Sequence, residues 1–562
     1  MRQARIPALG LLLLAPLVAA PADPAPPVAT YVGSRVCAAC HMDIYRSYSR
    51  TAMGRSVTNI DSGAYPAPAT VSSDAFHRQY RVFVRDGALY QSETGFDEAG
   101  RQIFETEAKL EFAVGSGENG VTFLVRRKDF LFEAPLSWYA KTGSWDLSPG
   151  YEQADEGFSR PAYASCMVCH TGRSRPVAGG ADGQYLDPPF AEAAVGCENC
   201  HGPGSLHVAA RQRGRTALPD RTIVNPSRVA PRLADNICML CHQGGGVRVL
   251  LPGRDYADVR PGTPLIRTVA FARLVSDRGG VLLEHHAAME SSRCFRATAG
   301  RLRCITCHDP HVEPTAAEAA AYYRTRCLSC HKETSCKLTL TARRHGETGD
   351  NCIACHMPQR PTGRISHSAL TDHTIRARPD EPVSAPSLGP APKGLPGVEL
   401  LNAFPGEPEI PLITRLELCG ELMPSSPELQ NTYLDLLDHA ARALPNDPLV
   451  VAALGRKALA TGQGDLIPLL ERALRPPAVP RQATYVDLAD AYLRAGRTAD
   501  EVTVLERAAI AFPYSKLVRK RLILSYIQVK DYTKARAALV AYVDDFPEDD
   551  FMRGLLKKAN GG

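Results

Sequence analysis

Beyond its first two dozen residues the chain has no apolar run long enough to cross a bilayer as a helix, which excludes an integral helical membrane protein once any leader is removed. It has no marked surplus of either charge. Against 65 Lys and Arg stand 60 Asp and Glu, a net charge of +5, which is weak ground for nucleic-acid or membrane-surface binding. The locally basic loop at Arg211, Arg213 and Arg215 reads as a solvated surface. The composition is neither that of a disordered chain nor of a collagen, with 44% hydrophobic and 22% charged residues. At 562 residues it is too long for one core, so two or three domains are expected.

Residues 1–22 form the exception to the missing apolar runs. Arg2 and Arg5 precede an apolar stretch from Ile6 to Val18, and Val18-Ala19-Ala20 is a small-residue cleavage pattern, so this segment reads as a signal peptide. Pro7 and Pro16 interrupt the stretch, and it is shorter than a spanning helix requires. No Cys lies near the cleavage site to take a lipid. The mature protein is expected to be exported, periplasmic or otherwise extracytoplasmic.

Cysteine is abundant, and its arrangement decides the class. Of 17 Cys, fourteen fall into seven copies of C-x-x-C-H. These are Cys37-Cys40-His41, Cys166-Cys169-His170, Cys197-Cys200-His201, Cys238-Cys241-His242, Cys304-Cys307-His308, Cys327-Cys330-His331 and Cys352-Cys355-His356. Two thiols three positions apart can add to the two vinyl groups of a haem, while the adjoining imidazole reaches its iron from the proximal side. Zinc knuckles do not demand His after the second Cys every time, and a thioredoxin-like redox pair would occur once. The pattern predicts seven covalently bound c-type haems. Of the other three Cys, Cys294 and Cys336 flank the fifth and sixth motifs and are expected to form a disulfide, whereas Cys419 reads as a buried apolar residue.

The sixth position on each iron separates a carrier from a catalyst. Nine of the 16 His are not proximal. His439 falls in the tail and reads as a surface residue. His77, His207, His285, His286, His311, His345, His367 and His373 lie in the motif-bearing part and are the distal candidates, with Met53 as a competitor at the first haem. A His close to its own motif, as in CHGPGSLH or CHDPH, is better placed to ligate a neighbouring haem. Adjacent His285 and His286 diverge, so one of the two is expected to bind. That count just saturates seven irons.

The expected fold class is mainly α. A heptahaem domain over 30–376, built of short helices and irregular loops, carries a small antiparallel β insert over 66–150, where runs such as His77 to Val84 and Val121 to Val125 alternate around Asp86-Gly87. A Pro-rich linker is expected over 377–411. Over 412–562 the sequence repeats every 34 residues (Leu454, Leu488 and Leu522; Leu505 and Leu539; Pro513 and Pro547), which is the tetratricopeptide period of stacked helix pairs.

The run Tyr31 to Ser56, the segment Trp145 to Tyr151, CHGPGSLH and CHDPH together resemble bacterial multihaem c-type cytochromes with a C-terminal tetratricopeptide-repeat domain. That group is distantly similar to the hydroxylamine oxidoreductase and pentahaem nitrite reductase superfamily. The resemblance covers about residues 30–376 and the tail. It implies a haem chain that passes electrons, with the tail docking redox protein partners. Nitrite reductases of that superfamily often carry Lys in place of one proximal His. All seven motifs here keep His, which argues against that chemistry. The alternative is an oxidoreductase acting on a small nitrogen or sulfur species at one five-coordinate haem.

Overall fold

The computed structural model describes residues 28–561 except 216–218, 244–245, 276–284, 347–348, 360–370, 379–380, 382–391, 463, 477 and 480. The leader expected over 1–22 and the candidate His367 lie outside the described residues.

Where the sequence predicts a mainly α chain, the fold is mixed. Helix accounts for 44% of it, beside a ten-stranded antiparallel sheet that begins at Val57–Asn59 and ends at Arg160–Pro161. The difference comes from the long gap between the first two motifs, where β-branched and aromatic residues alternate with polar ones. Asp86 and Gly87 both take positive φ, 50° and 74°, the geometry of the tight turn that matches strand twist. They join Arg78–Arg85 to Ala88–Phe96. The 13-residue strand Gln102–Val114 is the spine, pairing with Ala88–Phe96 on one side and Gly120–Arg127 on the other. Its curled interior is filled by Tyr80, Phe123, Phe132, Leu136 and Trp145.

A second sheet corrects the expected linker. Within 377–411, Val398–Leu400 is a strand paired antiparallel with Val269–Leu274, which also pairs with Val247–Leu250. Prolines crowd the segment before it, whereas Val398, Leu400, Leu401 and Phe404 are apolar and buried. One hydrophobic core runs from Ala270 and Ala272 through Val398 and Leu400 to Leu416, Leu437 and Val450. The last third is therefore packed onto the motif-bearing part through a shared core.

That last third is a run of antiparallel helices. Pro448–Thr461, Gln482–Arg494, Lys516–Gln528 and Asp550–Gly561 start 34 residues apart. Tyr492 and Tyr526 are equivalent positions and make equivalent bonds, to Glu471 Oε1 at 2.5 Å and Glu506 Oε1 at 2.8 Å. The far end returns to the large sheet. Tyr514 sits edge-on against Phe130 and Phe132 at 5.0 and 5.2 Å, and Arg127 donates to Asp545 O at 3.0 Å. Beside it, Arg78 reaches Asp155 at 2.8 Å and Glu93 at 3.4 Å, and Lys516 reaches Glu548 at 2.7 Å. No helix among the described residues is long and apolar enough to cross a membrane.

Candidate functional site

The first motif begins on a short helix, Ser34–Ala38, whose approach is fixed from far along the chain. Buried Glu198 accepts hydrogen bonds from Val32 N, Gly33 N and Gly204 N at 2.7–3.0 Å. Glu192 accepts from Ser34 N, and Ser34 Oγ accepts from Cys197 N. Tyr48 Oη donates to Val195 O at 2.8 Å. These bonds sew the first motif onto the third. Gly202, at φ 73°, ends the helix Cys197–His201 in a left-handed conformation that favours glycine. The chain then turns into Ser205–Gln212, which carries His207.

As a result His41 and His207 face one another, with ring centroids 6.4 Å apart and planes 20° from parallel. Three other proximal His have facing rings. His201 and His311 are separated by 6.0 Å at 12°, His308 and His373 by 6.2 Å at 29°, and His242 and His285 by 5.6 Å at 42°. Two metal–nitrogen bonds of about 2 Å plus two ring radii give a span of roughly 6.3 Å. His285 and His373 also touch each other edge-on at 4.5 Å, so four imidazoles form a row.

Several of these rings are held through Nδ1, which leaves Nε2 for a metal. His201 Nδ1 lies 2.8 Å from Val224 O, His373 Nδ1 2.9 Å from Thr371 O, and His356 Nδ1 2.6 Å from Arg376 O. Tyr323 Oη lies 3.2 Å from His308 Nδ1. His207 Nδ1 meets the Asp220 carboxylate at 2.7 Å, and His311 Nδ1 meets Asp309 at 3.2 Å. Burial alone would raise the Asp220 carboxyl, but bonds from Thr222, His207 and Arg211 hold it well below its usual range. Burial and the neighbouring imidazoles push His285 down to about 3 and His308 to about 4. These imidazoles are neutral near pH 7, the form that ligates a metal.

The thiols draw the motifs together. Cys37 lies beside Cys197, Cys169 beside Cys241, Cys238 beside Cys304, and Cys327 beside Cys352. Cys200 neighbours Cys238, and Cys307 neighbours Cys330. All seven motifs are thereby neighbours in one branched series, with the fourth near the second, third and fifth. The residues fit haem in a further respect. Asn236 and Gln243 flank the fourth motif on Pro231–His242, are almost wholly buried, and have all four amide atoms without a hydrogen-bond partner. Buried polar atoms of this kind call for a polar group of a bound molecule.

Other sequence candidates fall elsewhere. His77 is exposed in the turn Asp74 to His77, at φ 52°, ahead of the strand Arg78–Arg85, and has no ring partner among the described residues. It thus stands apart from the imidazole pairs. Met53 opens a short 3₁₀ turn, while the ring facing His41 is that of His207. His286 is buried against Phe404 and lies 3.9 Å from Glu290, apart from the row that holds His285. His345 ends the helix Leu340–His345 and is exposed. Cys294 and Cys336 are free thiols, and Cys294 instead neighbours Cys307 and Cys330, which corrects the expected disulfide. Cys419 is buried and directs its thiol at Leu429 O. The supporting residues Glu198, Asp220, Asn236 and Gln243 had no signal in the sequence, because isolated polar residues reveal their role only when the chain closes around them.

Comparison with known proteins agrees with the motifs. Residues 147–202, which include the second and third, match the family described as cytochrome c554 and c-prime. Residues 297–335, which include the fifth and sixth, match the doubled CXXCH motif family. No curated protein matches the chain. Among solved structures, one chain from "Crystal structure of APC/C hetero-tetramer Cut9-Hcn1" is similar at 20% identity, covering 26% of this chain and 29% of that one, with a TM-score of 0.23. The match thus spans less than a third of that chain, and at such a score it carries no argument. On its paired cysteine–histidine modules, the chain is a multihaem c-type cytochrome.

Proposed function

We propose that the protein is an exported heptahaem electron carrier whose helical tail, of tetratricopeptide type, docks a protein redox partner. The observation that carries this reading is the facing of His41 with His207, His201 with His311, His242 with His285, and His308 with His373. Haem bound at the motifs supplies one-electron iron chemistry. The cysteines would anchor it and each proximal imidazole would hold its iron, while at the four paired motifs the facing imidazole would hold the iron as well and exclude water and small substrates. Four saturated sites in one haem series would favour transfer over catalysis. The branched contact among the seven motifs supports a continuous route.

Mass spectrometry of the mature holoprotein, together with the EPR spectrum of its oxidised form, tests this. Seven haem additions to a chain cleaved near residue 22, with low-spin ferric signals throughout, are expected. Fewer additions would mean that a motif is unused. A clear high-spin ferric signal would replace the carrier with an oxidoreductase that has an open iron.

A further inference from the structure

We propose that Asp220 is a positioning residue that fixes the ring of His207 and lowers the reduction potential of the haem held by Cys37, Cys40 and His41. The proposal rests on the axial pairing of His41 with His207. His207 Nδ1 and Asp220 Oδ2 are 2.7 Å apart, with the two side chains 20% and 15% exposed. The carboxylate is itself immobilised. Oδ1 accepts from Thr222 N at 2.8 Å and Thr222 Oγ1 at 2.5 Å, and Oδ2 also accepts from Arg211 Nη2 at 2.5 Å. The ring therefore cannot turn without breaking a charge-assisted bond, and Nε2 is the nitrogen left to hold an iron.

An imidazole that donates Nδ1–H to a carboxylate is a more basic ligand than one that donates to a neutral carbonyl. A more basic axial ligand favours ferric over ferrous iron and lowers the potential. His201, His356 and His373 meet backbone carbonyls, and His308 meets a tyrosine hydroxyl. His311 does meet a carboxylate, but at 3.2 Å and between side chains 38% and 43% exposed, where water competes. The first haem is thus set apart from those whose imidazoles lean on neutral groups. Arg211 draws on the same Asp220 oxygen and tempers the effect.

Two substitutions with opposite expected signs test the proposal in the full holoprotein. Asp220→Asn keeps the shape and removes the charge. It should shift one component of the redox titration upward by about tenfold in its ferrous-to-ferric ratio, roughly 59 mV for one electron. Arg211→Gln leaves the carboxylate undivided on His207 and should move the same component downward. The EPR g values of that haem should change with its potential in both variants, as a change in ligand basicity requires. His207→Ala identifies the component by turning it high-spin. A full haem complement, low-spin throughout, in which neither Asp220→Asn nor Arg211→Gln moves any component overturns the proposal and leaves the axial pairing standing. If His207→Ala leaves every haem low-spin, the pairing itself is wrong. Should Asp220→Asn fail to mature, Arg211→Gln carries the test on its own.

Discussion

At the scale of single residues, the C-x-x-C-H motifs are legible, because they are a local chemical pattern that needs no tertiary structure to be read. The facing imidazoles were legible only as a pool of candidates. His207 lies 166 positions from His41, and what brings them together is a buried Glu198 binding the backbone at Val32, Gly33 and Gly204. No periodicity announces such a bond. Met53 looked competitive because it is twelve residues after His41, a separation that says nothing about where a 3₁₀ turn points its side chain. The two candidates are separated by replacement. Met53→Ala should leave every ferric signal low-spin, whereas His207→Ala should convert one haem to high-spin, as read by EPR and by the electronic spectrum.

At the scale of elements, period decides what can be read. Alternation of two around Asp86-Gly87 gave the hairpin, and a period of 34 gave helices starting at Pro448, Gln482, Lys516 and Asp550. A three-residue strand has no period, so Val398–Leu400 was hidden by the prolines before it. That strand is held by a buried side chain just beyond its end. Asn402 accepts from Phe271 N at 3.0 Å and donates to Val269 O at 2.8 Å. Replacing Asn402→Ala would leave a buried N–H and a buried carbonyl unpaired, each costing about 1–3 kcal/mol. The midpoint of urea unfolding should fall accordingly, with the haem count by mass unchanged in the folded fraction. A midpoint equal to that of the parent protein would mean that the short sheet does not limit stability.

At the scale of the whole molecule, the expected division into a cytochrome and a separately tethered tail gives way to a closed arrangement. The tail shares a core with the short sheet at its near end and touches the large sheet at its far end. The far contact is ionic as well as apolar and is short of positive charge. Glu93, Asp155, Glu156, Glu548 and Asp550 converge there with Tyr80, against Arg78, Lys516 and Arg553, the last paired with Asp550 at the rim. Glu93 is wholly buried and neither of its oxygens accepts a hydrogen bond. Burial, with Asp155 and Glu548 beside it, drives its carboxyl well above the ordinary 4.5, and burial raises Glu548 too.

The sign of the pH effect follows from that shift. A carboxyl whose folded pKa is raised holds its proton in the folded state over a range where the unfolded chain has lost it, so the folded state is favoured by acid. Its contribution is full below 4.5 and declines as pH rises toward the raised folded value. The contact between tail and sheet should therefore tighten on mild acidification. Hydrogen exchange of the helices Tyr532–Asp545 and Asp550–Gly561, corrected for intrinsic rates, should show greater protection at about pH 5.5 than at about pH 7.5. Glu93→Gln removes the buried charge while keeping the shape. It should raise protection at the higher pH and flatten the difference between the two. The haem spectrum should not respond, since the cluster lies at the tail and sheet rather than among the motif thiols. Protection that instead rises with pH would show that Arg78, Lys516 and Arg553 fully balance the acids and that Glu93 is ionised in the folded protein.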